Sequence, residues 1–252
     1  MLGIRLIGHA ISMVFSNIGA ALRISVPIFV TSLVFIVLFA GQLGRAYDGN
    51  EAGYQGLGIG FVIIVVLTVA AVCWTAVAWH RYILLQENPG MFLPKLDGNL
   101  VLGYIGRSIL LGLVLIIPGI ALSFLGGGVA FNLFAASPYL AVILITLIIY
   151  VPLFFLFYRF SLILPAGAIG KHMTLGNSWS DTASASGAIV VVSLVMLAVS
   201  VVFELVIQKI FGSTSVSTLV VSAVIDWFMM MIGLSILTTL YGHLVEGREL
   251  RA

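Results

Sequence analysis

Charged side chains are scarce in this chain. Of its 252 residues only 8% are charged, whereas 62% are hydrophobic and the mean hydropathy is +1.23. A soluble domain carries about 25% charged residues, and even a fold of this size leaves a large surface in contact with its solvent. The composition therefore excludes a water-soluble globule and predicts that lipid surrounds most of the chain.

Cysteine, basic clusters and alternating strands are also lacking. A single cysteine, Cys73, excludes an internal disulfide. A net charge of +2 without a basic patch excludes nucleic acid as a partner. The apolar runs are continuous over about 20 residues, whereas the strands of a membrane barrel alternate apolar and polar residues. The remaining fold class is an all-α integral membrane protein, with residues 1–252 forming a single membrane domain.

Charged residues and turn signals divide the apolar sequence into six predicted transmembrane helices. Their approximate ranges are 25–43, 57–80, 100–125, 138–159, 186–209 and 217–241. Each is long enough to cross a hydrocarbon layer of about 30 Å. Short loops at 44–56 and 212–214 and a predicted hinge marked by Gly126–Gly128, Asn132 and Ser137-Pro138 would make three hairpins. We expect short interfacial helices between the hairpins.

The first residues have the pattern of an amphipathic helix. Polar side chains recur at three-, four- and seven-residue steps, whereas Leu6, Ile7 and Val14 fall on another face. The polar face consists of Arg5, His9, Ser12, Ser16 and Arg23. Such a helix is suited to the membrane surface. The alternative is that its apolar face packs on the protein's own helices.

The distribution of lysine and arginine predicts the orientation of the chain. One predicted side of the membrane holds Arg5, Arg23, Arg81, Lys95, Arg107, Arg159, Lys171, Arg248 and Arg251, and the other holds Arg45 and Lys209. Basic residues concentrate in cytoplasmic loops. Both termini are therefore predicted to be cytoplasmic, in the inner membrane of a bacterium.

A similar pattern recurs along the chain at intervals of about 80 residues. Every second predicted helix ends in an aromatic and a basic residue, in WHRYILL from Trp79, YRFSLIL from Tyr158 and YGHLVEG from Tyr241. This pattern predicts internal repeats at 1–82, 83–160 and 161–245. The alternative is convergence, because aromatic and basic side chains anchor any helix end at the cytoplasmic interface.

The join after the fourth predicted helix carries a family resemblance. Its residues are Arg159, Leu164-Pro165, Gly176, Ser178 and Trp179. Their order resembles a family of bacterial six-helix membrane proteins that includes YciC-like proteins and the membrane domain attached to some glycerophosphodiester phosphodiesterases. The resemblance implies six membrane helices with interfacial helices between them and no chemistry of their own. Phosphodiesterase activity in that family belongs to a separate soluble barrel, for which these residues leave no room.

Two acidic residues fall inside predicted spans. Asp226 and Glu204 both lie in the outer half, and Lys209 is a cation near them. A carboxylate at bilayer depth costs about 2.5–3.5 kcal/mol on insertion scales, so such groups usually have partners. One hypothesis is a proton or cation site, because two close carboxylates can share a proton. The alternative is a structural salt bridge or hydrogen bond, in which Lys209 reaches Glu204.

A set of cytoplasmic residues is predicted to contact lipid headgroups. It consists of Arg23, Arg81, Arg107, Arg159, Lys171 and Trp179. Each basic side chain near an anionic surface adds about 1 kcal/mol of attraction. The alternative is that these residues only express the positive-inside preference.

No pattern of catalytic or metal-binding residues is present. The histidines are spread over separate joins without the spacing of a metal site, and no nucleophile or phosphate-loop motif occurs. We therefore predict neither cofactor nor enzymatic activity. The prediction is a polytopic inner-membrane protein, an accessory, assembly or scaffold subunit or a lipid-associated module, with membrane lipids and other membrane subunits as partners. The alternative is a small-molecule or ion transporter that uses the acidic pair.

Overall fold

The computed structural model of the chain describes residues 1–47, 58–133, 137–212 and 216–250. Within its helices, side chains are described except at 40–47, 130–132, 138–139, 142, 216–217 and 219. All regular structure in these ranges is helical. Most of the predicted loop at 44–56, two residues of the predicted turn at 212–214 and Arg251 lie outside the described residues.

The six predicted membrane helices are all present as long helices. The α-helices are α1 Leu2–Ser16, α2 Ile18–Ile24, α3 Val26–Tyr47, α4 Ile59–Leu85, α5 Gly98–Leu133, α6 Pro138–Phe160, α7 Ile163–Ala168, α8 Leu175–Asp181, α9 Ser186–Phe211 and α10 Val216–Leu244, and the 3-10 turn Ala183–Ala185 precedes α9. Helices α4, α5, α6, α9 and α10 are long and apolar enough to cross a membrane, and α3 contributes the shorter apolar stretch Val26–Phe39. The chain is therefore an α-helical, polytopic membrane protein.

Successive long helices pack against each other in pairs. Helices α3 and α4 are joined by an aromatic cluster, in which the Phe61 ring lies 5.9 Å from that of Phe35 and 5.7 Å from that of Phe39. Helices α5 and α6 approach closely where Gly126 faces Ile149. Helices α9 and α10 form the third pair.

The predicted hinge between the third and fourth long helices was right at Ser137-Pro138, where α6 begins, and wrong at Gly126–Gly128. Helix α5 continues through all three glycines to Leu133. Breaking the helix at membrane depth would leave backbone groups without hydrogen-bond partners, so glycine stays helical in lipid. Gly126 permits a close helix contact instead, because an added Cβ would lie 2.8 Å from the Ile149 side chain.

The protein core lies toward one end of the long helices. In α4, Ala71, Trp79 and Leu84 are buried, whereas Ile59 and Val66 near the other end are 81% and 60% exposed. The chain termini meet at the packed end, where Arg5 Nη2 donates a hydrogen bond of 3.4 Å to the Leu250 carbonyl. The opposite half presents apolar surface that suits lipid.

Helix α7 is a short wedge at the packed end. All six of its residues are buried, and it packs against α4, α5 and α10. It ends at Gly170, whose φ of 77° is the left-handed conformation that glycine adopts without strain. The Lys171 amide then bonds the Ala166 carbonyl at 2.9 Å and the Gly170 amide bonds Gly167, which closes a Schellman cap. The wedge holds three of the long helices in one arrangement.

Helix α1 packs on the protein through its apolar face, as the sequence alternative stated. Leu6, Ile7 and Val14 are buried, and α1 contacts α9 and α10. The prediction that Arg23 shares the polar face was wrong, because it lies on α2 beyond a bend of 79°. A further strip of α1 remains exposed and apolar, and its members are Ile4, Ile11 and Phe15. The location of α1 at the membrane surface stays a prediction.

The expected interfacial helices are present at only one of the two joins. Residues 86–97 contain turns and no helix, because Asn88-Pro89-Gly90 and Pro94 interrupt helical hydrogen bonding. Between α6 and α9 the chain forms two short helices, α7 and α8. Helix α7 is buried inside the protein, so α8 alone fits the expectation.

Candidate functional site

The packed end brings most of the predicted headgroup-contacting residues into one region. Arg81 and Lys171 both form bonds within the protein there. Arg81 donates from Nε to the Glu87 carboxylate and from Nη1 to the Ala168 carbonyl at 3.2 Å. Lys171 Nζ lies 3.1 Å from Glu246 Oε1, and this hydrogen bond raises the pKa of the lysine. These two cations therefore join helix ends to neighbouring segments.

The C-terminal tail belongs to the same network. Arg248 Nη2 lies 2.8 Å from Glu246 Oε2 and donates to the Leu84 carbonyl at 2.7 Å. Leu84 is in the last turn of α4, where carbonyls lack helical partners. The tail thus caps a helix that lies 164 residues earlier in the chain.

The Glu87 carboxylate makes a testable pH-dependent contribution to stability. The hydrogen bond from Arg81 lowers the pKa of Glu87 below its usual value of 4.5. The pair therefore stabilises the folded state fully above pH 4.5, and this contribution disappears as pH falls through the lowered folded-state pKa. We expect Glu87→Gln to cost less than about 1 kcal/mol at pH 7, because the pair is partly exposed. Chemical unfolding in detergent at pH 7 and pH 3 should show a smaller difference at the lower pH.

Glu249→Gln is the matched control for that measurement, because Glu249 is exposed and has no ion pair in the part of the chain that the structure describes. It should leave stability nearly unchanged at both pH values. A cost for Glu87→Gln that is as large at pH 3 as at pH 7 would contradict the assignment.

Arg159 is buried at the junction of α6, α8 and α9. Its side chain is 5% exposed. The guanidinium donates to the Trp179 carbonyl at 2.6 Å and to Ser186 Oγ, and it lies 3.9 Å from the centroid of the Trp179 ring. The Arg159 carbonyl accepts hydrogen bonds from Ser178 at 2.8 Å and Thr182 at 3.2 Å. This residue of the family-like motif therefore faces protein and fixes three elements together.

The other predicted headgroup residues remain accessible to different degrees. Trp179 is 41% exposed and stacks on Phe160 with ring centroids 5.0 Å apart. Arg23 is exposed on α2. Arg107 is half-buried, and its guanidinium lies against Gly167 of the wedge helix. Some of the predicted headgroup-contacting residues therefore bond within the protein, whereas others remain accessible.

A buried polar chain at the packed end was missed by sequence analysis. His80 Nδ1 lies 2.8 Å from Thr238 Oγ1, and His80 Nε2 lies 3.4 Å from the Tyr104 hydroxyl. Thr238 donates its hydroxyl hydrogen to the Leu234 carbonyl at 2.7 Å. The assigned tautomer therefore carries hydrogen on Nδ1 and accepts at Nε2. The chain joins α4, α5 and α10 in the core.

One sequence signal could have found this chain. Ser235 and Thr238 are small polar residues three positions apart in an apolar helix, which places them on one face. Ser235 accepts a hydrogen bond of 3.0 Å from Trp79 Nε1, beside the bond from His80 to Thr238. Trp79 and His80 are adjacent on α4, and each therefore forms a hydrogen bond with one of two hydroxyl groups on α10.

The structure brings the two predicted acidic residues together at the other end of the bundle. Glu204 and Asp226 line one groove of about 380 Å³ between α9 and α10. Both side chains are exposed. Ser200 and Ser222 add hydroxyl groups to an otherwise mostly apolar lining. The geometry allows a polar path along this part of the groove, and its function stays a prediction.

Lys209 does not join this pair. Among residues 186–212 and 216–250, neither Glu204 nor Asp226 forms an ion pair with Lys209. Glu204 accepts instead from Gln208 Nε2, one helical turn away on α9. The structural alternative therefore has its hydrogen bond from Gln208 and not its ion pair, because Lys209 follows five positions later on another face of the helix.

In the described parts of the chain, no three histidine, cysteine or acidic side chains gather in a group that could hold a metal ion. Arg81, Arg159 and Lys171 of the packed end are engaged in structural hydrogen bonds, and the groove at the other end carries the two carboxylates. Comparisons with models of protein families, with curated proteins and with solved structures find no match to this chain.

Proposed function

We propose that this chain is a non-enzymatic, lipid-associated membrane module that serves as an accessory or scaffold subunit. One observation carries the proposal: four basic side chains of the packed end, Arg81, Arg159, Lys171 and Arg248, are used to hold helix ends together. Arg159 and Arg248 bond backbone carbonyls of other elements. An arrangement of this kind stabilises a fixed surface next to the headgroups.

The proposal includes a location and a family. The chain resides in a bacterial inner membrane with six spanning helices in three hairpins and with both termini in the cytoplasm. The support is the lysine and arginine distribution, together with the hydrogen bond from Arg5 to Leu250, which places the two ends of the chain side by side. Membership in the YciC-like six-helix family is proposed on the residues around Arg159 and Trp179.

Purification in mild detergent tests the proposed role. The expected result is co-purification of anionic phospholipid, of one stoichiometric membrane-protein partner, or of both, identified by mass spectrometry. A homogeneous, partner-free and lipid-free protein that conducts solute in liposomes would contradict the proposal. Reporter fusions that place the loop 44–56 in the cytoplasm would overturn the orientation.

A transporter is the second candidate, and the acidic groove favours it. Exposed carboxylates in a membrane-spanning region are costly unless they meet water, a cation or protein. In a proton-coupled transporter, Asp226→Asn and Glu204→Gln would each reduce flux in proteoliposomes roughly tenfold or more, because an amide cannot carry the proton. The measurement is solute-dependent pH change inside the liposomes.

The exposed Glu249→Gln variant is the control for this flux experiment as well, because it removes a carboxylate outside the groove. Wild-type flux in both groove variants would eliminate the transporter. Loss of flux in the groove variants alone would replace the scaffold proposal with transport.

A further inference from the structure

Arg107 differs from the other basic residues of the packed end. It is half-buried, and its guanidinium lies flat against Gly167, where an added Cβ would collide with it. Within the described ranges, Arg107 donates no hydrogen bond and pairs with no carboxylate. By contrast, Arg81, Arg159 and Lys171 bond to protein acceptors.

An unpaired guanidinium in this position needs an anionic partner. Leaving a partly buried charge without hydrogen bonds is costly, and arginine presents a planar set of donors that matches phosphate oxygens. The Arg107 side chain is only half-buried and bonds no described acceptor, so its N–H groups remain available. The contact with Gly167 of α7 restricts the Arg107 side chain before a ligand binds. This lowers the entropic cost of binding.

The surroundings of Arg107 suit a lipid. Gly106 precedes it on α5 with open space around its Cα, and Gly103 lies one turn earlier. Farther from the packed end on the same helix, Leu110 is 44% exposed and Ile117 is 77% exposed, and their seven-residue step places them on one face. An acyl chain can therefore lie along these two side chains while the phosphate reaches the arginine.

We propose that Arg107, seated on Gly167, binds the phosphate group of an anionic phospholipid at the junction of α5 and α7. The site deepens the proposed lipid-associated function and rests on it. Arg107 supplies the charge-assisted hydrogen bonds, and Gly167 positions the guanidinium by lacking a side chain. The shared chemistry is phosphate recognition, which a soluble phosphate could also satisfy.

Titration of the full-length protein in detergent with phosphatidylglycerol, phosphatidylcholine or inorganic phosphate, followed by native mass spectrometry, tests the site. We expect Arg107→Gln to weaken phosphatidylglycerol binding about tenfold, the loss of one charge-assisted contact. Gly167→Ala should weaken binding similarly although it retains the charge, because the methyl group displaces the guanidinium. Arg107→Lys should restore binding only in part, because lysine lacks the planar donor set.

Lys95→Gln is the matched control. The Lys95 side chain is 78% exposed, and the substitution removes one positive charge on the same predicted side of the membrane. It should leave affinity unchanged, and thermal unfolding checks that every variant is folded. Equal weakening by Lys95→Gln, or full affinity in both Arg107→Gln and Gly167→Ala, would overturn the site. Competition by inorganic phosphate at equal affinity would overturn the lipid as its ligand. A wild-type protein that binds neither lipid would instead contradict the lipid-associated function itself.

Discussion

Arg159→Ala should lower the free energy of unfolding by about 3 kcal/mol, because it removes charge-assisted hydrogen bonds worth about 1.5–3 kcal/mol each and a buried cation–π contact. The guanidinium bonds Ser186 Oγ and the Trp179 carbonyl, and both acceptors lose this partner in the variant. For a chain of this length the melting temperature should fall by about 6–12 °C. Thermal unfolding in mild detergent measures the change.

Arg23→Ala is the matched control for this prediction, because Arg23 is exposed on α2. Its cost should stay within about 0.5 kcal/mol. Arg159→Lys should recover less than half of the loss, because an ammonium cannot stack on Trp179 and bond both acceptors together. Equal stability of Arg159→Ala and Arg23→Ala would show that the junction of α6, α8 and α9 does not depend on this side chain.

His80→Ala should destabilise the protein by about 3–5 kcal/mol, because it combines a cavity with lost hydrogen bonds in the core. His80 is fully buried, and its ring contacts the hydroxyls of Thr238 and Tyr104. Its removal leaves the Tyr104 hydroxyl without that acceptor and opens space between three helices. Unfolding by denaturant in mixed micelles should show the loss as a lower midpoint.

Two further variants separate the hydrogen bonds from the volume. His80→Gln retains a donor and an acceptor and should recover part of the stability, whereas His80→Leu fills space without hydrogen bonds and should recover less. His172→Ala is the control, because this histidine is exposed at the join between α7 and α8. Comparable stability of the His80→Leu and wild-type proteins would mean that the polar chain contributes no net stability.

The sequence predicted the helices well because lipid permits few alternatives. Every backbone group in the hydrocarbon layer needs an internal partner, so a continuous apolar run becomes a helix. The predicted range 138–159 differs from α6 by one residue at its end. The hinge was predicted correctly at Ser137-Pro138 but wrongly at Gly126–Gly128, because glycine signals a turn in water, whereas it stays helical in lipid.

The candidate sites were predicted less completely. Glu204 and Asp226 were named together because charge in an apolar run stands out, and they do line one groove. His80 was assigned only to a helix end, although it lies in a buried polar chain with Tyr104 and Thr238. A polar residue near the interface has the same sequence pattern whether it faces water, lipid or a hydroxyl on another helix.

By itself the sequence determined the lipid environment, the fold class and the positions of the long helices, because these depend on composition and on periodicity within about 20 residues. Only the tertiary structure decided which basic side chains are bonded internally and which remain accessible. Arg81 meets Ala168 and Arg248 meets Leu84, and no local pattern encodes contacts between positions so far apart. Arg107 and Arg159 look alike as arginines within apolar predicted helices, yet one lies unpaired on a glycine and the other is buried among acceptors. The physical reason is that the packing of α7 and α8 against the long helices sets the partners of each cation.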